Sequence, residues 1–236
     1  LQYRSFKKFS LHTKIVIVST LILLVGGTIL FYALEYNNPG TMQSLSLKGK
    51  ILTSFFASVT PRTAGFNSIP TDQMTTASQL ITILLMYIGA SPGSTGGGIK
   101  TSTFAVLFMT VISVIKGRED TEVLEKRIPK DIIYRSLSIV AISISLLVFD
   151  VLLLSITEQG AKLVEIMYES TSAFGTVGLS LGLTPKLSSI GRVLIILTMY
   201  AGRVGVLTLA YAFAQKQLKN SVAVKVKYPE DKVLVG

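Results

Sequence analysis

Long apolar runs separated by short polar stretches organise this chain, and they predict helices rather than strands. Ile15 to Leu34 is almost uninterrupted, and Met74 to Pro92, Leu137 to Ile156 and Ile190 to Gln215 approach the same length. A helix needs roughly 20 mostly apolar residues to cross a ~30 Å hydrocarbon layer, because its backbone must satisfy its own hydrogen bonds there. These four stretches are read as membrane helices. A fifth run, Thr101 to Ile115, is too short to span alone. It follows a glycine-rich break and reads as the second half of the helix begun at Met74. The fold class predicted is an all-α membrane protein.

Two shorter apolar segments, Lys50 to Val59 and Ala161 to Ala173, lie between the outer helices. At about ten to thirteen residues they cannot span and must dip into the membrane and return. Each leads into a glycine loop, and the loops repeat. Thr63-Ala64-Gly65-Phe66-Asn67 superposes without a gap on Thr176-Val177-Gly178-Leu179-Ser180, and Met86-Tyr87-Ile88-Gly89 on Met199-Tyr200-Ala201-Gly202. Subtracting 63 from 176 and 86 from 199 gives the same offset, 113. The chain therefore divides into a first unit of helix, re-entrant helix, loop and broken helix (1–116), a connecting loop (117–135), a second unit (136–216) and a tail (217–236).

Irregular backbone at membrane depth is tolerated only where protein buries it or where it lines a water-filled cavity, so both loops should face a pore. In an extended Thr-x-Gly-x stretch, carbonyl oxygens replace an ion's hydration shell, and glycine permits backbone angles that a β-carbon forbids. Arg62 and Glu169, which precede the two loops, are expected to brace them.

Charge changes the picture in two ways. The chain has 236 residues, 49% hydrophobic and 15% charged, with a formal charge of +10. Charge this sparse excludes a disordered chain or an ordinary soluble enzyme. The basic residues mark topology: four precede the first helix, six lie between Lys116 and Arg135, and five follow Gln215, against six on the other sides. Fifteen against six places both termini and the 116–135 loop in the cytoplasm. The positive excess is thus a topology signal and not a nucleic-acid surface. The opening run is too long for a cleaved signal peptide and lacks a small-residue cleavage site. With no cysteine and His12 as the single histidine, zinc, haem and Ser-His-Asp chemistry have no ligand set, and no enzyme activity is expected.

The stretch Gly89-Ala90-Ser91-Pro92-Gly93-Ser94-Thr95-Gly96-Gly97-Gly98-Ile99-Lys100-Thr101 fails as a phosphate cradle, because an isoleucine separates Gly98 from Lys100 and the flanks are membrane helices. Proline and glycine interrupt the helix instead. The equivalent Gly202-Arg203-Val204-Gly205 is expected to stay helical. Arg203, a permanent charge in an apolar helix, should face a cavity or a partner. Lys100 either anchors the break, repels cations or snorkels to the interface. Asp150, also inside a span, is assigned a structural hydrogen bond. The 116–135 loop reads as a solvated hairpin or as a docking surface, and the alternating tail as a short strand or a disordered end.

The paired loops and the glycine break resemble those of the Trk/Ktr/HKT superfamily of potassium transporters, and look closest to the bacterial Ktr membrane subunit. Thr176-Val177-Gly178 also resembles the start of the potassium-channel signature, with Leu179 and Ser180 in place of its aromatic residue and second glycine. The resemblance implies potassium uptake through a pore with a single-glycine filter. Its ion sites would be the backbone carbonyls of Thr63, Ala64, Gly65, Thr176, Val177 and Gly178, with Phe66 and Leu179 completing the loops. It implies that Gly93, Ser94, Thr95, Gly96, Gly97 and Gly98, with Lys100 and Arg203, form a movable gate beneath the filter. Members carry four such units around one pore, so this chain is expected to be the C-terminal half of a longer polypeptide, with its third and fourth repeats. The resemblance further implies a homodimer in the cell membrane, docked on a cytoplasmic ring that binds nucleotide, with K+ as the transported ion and no organic cofactor. A sodium-coupled symporter of the same superfamily and a non-conducting membrane scaffold are the alternatives.

Overall fold

The structure, a computed structural model, describes residues 9–205 and Thr208. The 217–236 tail and the extension of the last helix toward Gln215 lie outside the described residues. The helices are α1 (Leu11–Glu35), α2 (Leu47–Val59), α3 (Thr76–Tyr87), α4 (Thr101–Ile115), α5 (Lys130–Thr157), α6 (Leu163–Phe174) and α7 (Ser189–Val204). Between α4 and α5 a small hairpin pairs β1 (Glu122–Val123) with β2 (Lys126–Arg127). Its turn residues Leu124 and Glu125 both have positive φ, as a tight two-residue hairpin requires. α5 begins at Lys130, so the connecting loop ends at Pro129 and not at Arg135.

Of the four expected spans, two helices among the described residues, α1 and α5, are long and apolar enough to cross a membrane by length and composition. α3 and α4 are the two halves of the interrupted run, and α7 is described for 16 residues. On α1 the large residues Leu21, Ile22, Val25 and Ile29 are each more than half exposed. In a soluble helix the apolar stripe would be the buried one; here most large apolar side chains face outward, and the buried positions are Gly27, Phe31 and Glu35. Gly27 illustrates this, since a β-carbon there would run into the Ser58 side chain of α2. Ser58 in turn donates to the Leu24 carbonyl at 2.9 Å. Close backbone approach at small residues is how helices associate when hydrocarbon surrounds them.

The two units share a further device. Thr75 and Ser188, related by the same offset as the loops, cap the N-termini of α3 and α7 by accepting from the amides of Ser78 and Gly191. Each cap is held by a glutamate from the end of the preceding long helix. Glu35 accepts from the Thr75 amide (2.9 Å) and hydroxyl (2.8 Å), and Glu158 from the Ser188 amide (3.0 Å) and hydroxyl (2.6 Å). A carboxylate at a helix N-terminus meets unpaired N–H groups and the positive end of the dipole. α1 packs on α2, α5 on α6 and α7, and the units join where α6 meets α3.

Candidate functional site

α2 and α6 end just before the Thr-x-Gly loops, so their C-terminal carbonyls, the negative ends of their dipoles, lie against the loop backbones. Neither helix has a basic residue in its last turn to offset that charge. In both loops the backbone changes hand at alternate residues: φ is 74° at Thr63, 73° at Gly65, 50° at Thr176 and 93° at Gly178, while Ala64, Phe66, Val177 and Leu179 keep negative φ. Threonine in the left-handed region costs about 1–2 kcal/mol. That both loops adopt it at the same offset marks a shared, enforced conformation. Alternating hand at every second residue turns successive carbonyls to one side of the chain, unlike a strand, where they alternate.

The loops touch. A β-carbon on Gly65 would run into the Val177 carbonyl, the Thr63 hydroxyl donates to the Gly175 carbonyl at 3.3 Å, and the Thr71 hydroxyl to the Ser180 carbonyl at 2.7 Å. At Gly178 no atom lies within 4 Å of a β-carbon position, so its requirement for glycine is conformational alone. Phe66, at 72% exposure, points away from the protein, whereas Leu179 is buried.

Glu169 accepts from Ser180 (2.7 Å) and Thr184 (2.5 Å), and Ser172 accepts from the Gly178 amide (3.2 Å). Glu169 thus ties down the second loop as the sequence suggested. Arg62 reaches elsewhere, to the Thr20 hydroxyl of α1 at 3.5 Å, so it fastens the root of the first loop to the outer helix and not the loop itself.

The glycine break crosses directly against these loops. The Gly97 amide donates to the Thr176 hydroxyl at 3.0 Å and the Gly98 amide to the Phe174 carbonyl at 3.2 Å. A β-carbon on Gly96 would come within 2.8 Å of the Thr63 hydroxyl, and one on Gly97 within 2.8 Å of the Thr176 hydroxyl. Lys100 Nζ donates to the Gly96 carbonyl at 2.7 Å, and Arg203 Nη1 donates to the Thr95 carbonyl. Gly93 and Ser94 lie apart from the loops, at the exposed turn of the break, where the Ser94 hydroxyl donates to the Ser91 carbonyl. The expectation for Gly202 to Gly205 needs correction: Gly202, Arg203 and Val204 are helical, but α7 stops there and Gly205 has φ of 91°. Asp150 is buried and accepts from Ser170 at 2.5 Å, the structural bond expected of it. Among the described residues there is no cluster of three His, Asp or Glu able to hold a metal ion.

Thr176 meeting Gly97, and the Glu35 and Glu158 clips, had no counterpart in the sequence reading. The repeat offset that relates Thr75 to Ser188 was the available signal for the clips. The Thr176 contact joins positions far apart in the chain, for which no local pattern exists.

The profile of the TrkH family, described as a cation transport protein, matches residues 3–222. The Ktr system potassium uptake protein B of Vibrio alginolyticus is 43% identical over 233 residues, covering 99% of this chain and 50% of that protein. Its namesake in Bacillus subtilis is 41% identical over 233 residues, covering 99% and 51%. The potassium/sodium uptake protein NtpJ of Enterococcus hirae is 40% identical over 239 residues, covering 100% and 52%. The chain thus spans about half the length of these relatives. The crystal structure of the potassium transporter TrkH from Vibrio parahaemolyticus superposes with a TM-score of 0.70 over 83% of this chain and 43% of that one, at 17% identity, a likeness of fold. With the profile covering nearly every residue and the repeated loops falling inside it, the chain belongs to the TrkH family of cation transport proteins.

Proposed function

We propose that this chain forms half of a potassium-translocating pore in the cell membrane. The observation that carries the reading is the repeated pair of Thr-x-Gly loops, with matching alternation of φ and in direct contact. Backbone oxygens of Thr63, Ala64, Gly65, Thr176, Val177 and Gly178 coordinate the dehydrated ion, and the C-terminal ends of α2 and α6 add negative potential. Two loops cover two quadrants; the rest of a longer polypeptide supplies the others. Residues 93–98, held by Lys100 and Arg203, are the gate below the loops. A homodimer regulated by a cytoplasmic nucleotide-binding ring, with both ends of this segment on the cytoplasmic side, completes the assembly.

In the full-length transporter, Gly178→Asp adds a side chain and a charge where φ is left-handed and should abolish selective potassium uptake. Rubidium flux and potassium-over-sodium preference unchanged from wild type would refute the assignment. The name of the Enterococcus hirae relative, potassium/sodium uptake, favours sodium-coupled transport as the second reading. Flux that collapses without a sodium gradient would select it.

A further inference from the structure

Behind the two loops, on the side where α6 meets α3, lies a small space, largely walled by buried residues, with about 10 Å³ of room for a water-sized sphere. That is enough for one molecule of water provided two to four polar groups surround it. Thr60, Thr71, Thr82 and Tyr168 line it, alongside Asn67 of the first loop and Leu179 of the second. Tyr168 is fully buried, and its hydroxyl lies near Thr82 but outside hydrogen-bond geometry with any described residue. A buried hydroxyl in a native protein is rarely left without a partner.

The threonines lining the space have already committed their protons. Thr60 donates to the Phe66 carbonyl of the first loop, Thr71 to the Ser180 carbonyl of the second, and Thr82 to the Ser78 carbonyl of α3. Each hydroxyl oxygen keeps lone pairs free to accept. The space is therefore rich in acceptors, and its buried uncommitted donor is the Tyr168 hydroxyl, since the Asn67 and Ser68 side chains at its edge are exposed. A water molecule matches that inventory: it accepts from Tyr168 and donates twice to threonine oxygens.

We propose that one buried water occupies this space, fixed by Tyr168 as a positioning residue, and that it couples the first loop to the second and so tunes their preference among alkali cations. The inference rests on the reading of the loops as ion-coordinating. At the repeat offset, the counterpart of Tyr168 in the first unit is Phe55, half exposed on α2. Phenylalanine is thus already accommodated at this point of a re-entrant helix, and the polar device belongs to the junction between the two units.

The test is uptake into vesicles by the full-length transporter, with potassium and sodium competing against rubidium. Tyr168→Phe and Thr82→Val should each lower the potassium-over-sodium preference about fivefold, the loss of one hydrogen bond, with rubidium uptake retained. The double variant should be no worse than either single one, because both remove the same water. A wild-type preference that neither variant lowers, or an additive double variant, overturns the water. A wild-type protein with no potassium preference overturns the loop reading itself, and this inference with it. If a variant fails to insert, a map of the wild-type protein that resolves water decides: a peak within reach of the Tyr168 and Thr82 hydroxyls supports the proposal, and a dry cavity ends it.

Discussion

The two units place their loops alike and differ in what surrounds them. In the first, the helix after the loop stops at Tyr87 and resumes at Thr101; in the second, α7 runs unbroken to Val204. Arg203 occupies the position held by Ala90 in the first unit, since 203 less 113 is 90. The first unit thus offers the Thr95 carbonyl, and its counterpart offers the cation that holds it. The re-entrant helices diverge in the same way. Glu169 and Ser172, which fasten the second loop, correspond to Phe56 and Val59. The second loop is braced by side chains of its own re-entrant helix and by hydrogen bonds from the break, while the first is held by Thr60 and by its contact with the second loop. A duplicated unit can therefore keep its loop geometry while its two copies become complementary parts of one device.

The largest expected effects come from the loop glycines, which should separate although their sequence contexts match. Gly65→Ala meets both a left-handed φ and the Val177 carbonyl, so uptake should fall by well over about tenfold, more than 1.4 kcal/mol. Gly178→Ala meets open space and only the conformational cost, about 1–2 kcal/mol. Rubidium uptake by the full-length protein ranks them, and equal losses would remove the distinction drawn between the loops. Next in size is the break. Arg203→Ala, which restores the residue of the first unit, should raise unstimulated flux several-fold by freeing the Thr95 carbonyl. A variant whose resting flux does not rise leaves Arg203 no part in closure. Glu169→Gln keeps the shape but weakens two charged hydrogen bonds, each worth about 1.5–3 kcal/mol when lost entirely. It should lower ion preference more than any change at Phe56, and the reverse order would place the critical brace in the first unit.

The smallest effects concern the helix clips. Glu35→Gln and Glu158→Gln should each lower thermal stability by about 1 kcal/mol. Glu35 should cost more, because it also accepts from Thr41 and Asn38, both at 2.6 Å. Melting curves of the two variants decide, and a larger loss at Glu158 would show that burial of these extra bonds does not matter.

The elements that sequence reasoning reached share one property: a local pattern enforces them. Long apolar runs predicted α1 and α5, the short ones α2 and α6, and Pro92 with its glycines the break. The repeat was legible because both loops need glycine at the same step. The details below that level were not. The left-handed φ of Thr63 and Thr176 carries no composition cue, since threonine ordinarily avoids it, and contacts between the units accompany it. The end of α7 before Gly205 was masked by apolar flanks that read as continuous helix. Arg62 reads as a brace from its place beside Thr63, but side-chain length lets it reach α1 instead. Contacts such as Gly97 with Thr176 are set by tertiary approach and have no local signature.

The most direct test is anomalous diffraction from the full-length transporter grown in rubidium or thallium salts, collected at the absorption edge of the ion. Ion peaks on the axis between residues 63–65 and 176–178, within coordination distance of their carbonyl oxygens, are predicted. An ordered map with no peak between these loops, or with its strongest peak at a site they do not touch, would contradict the account.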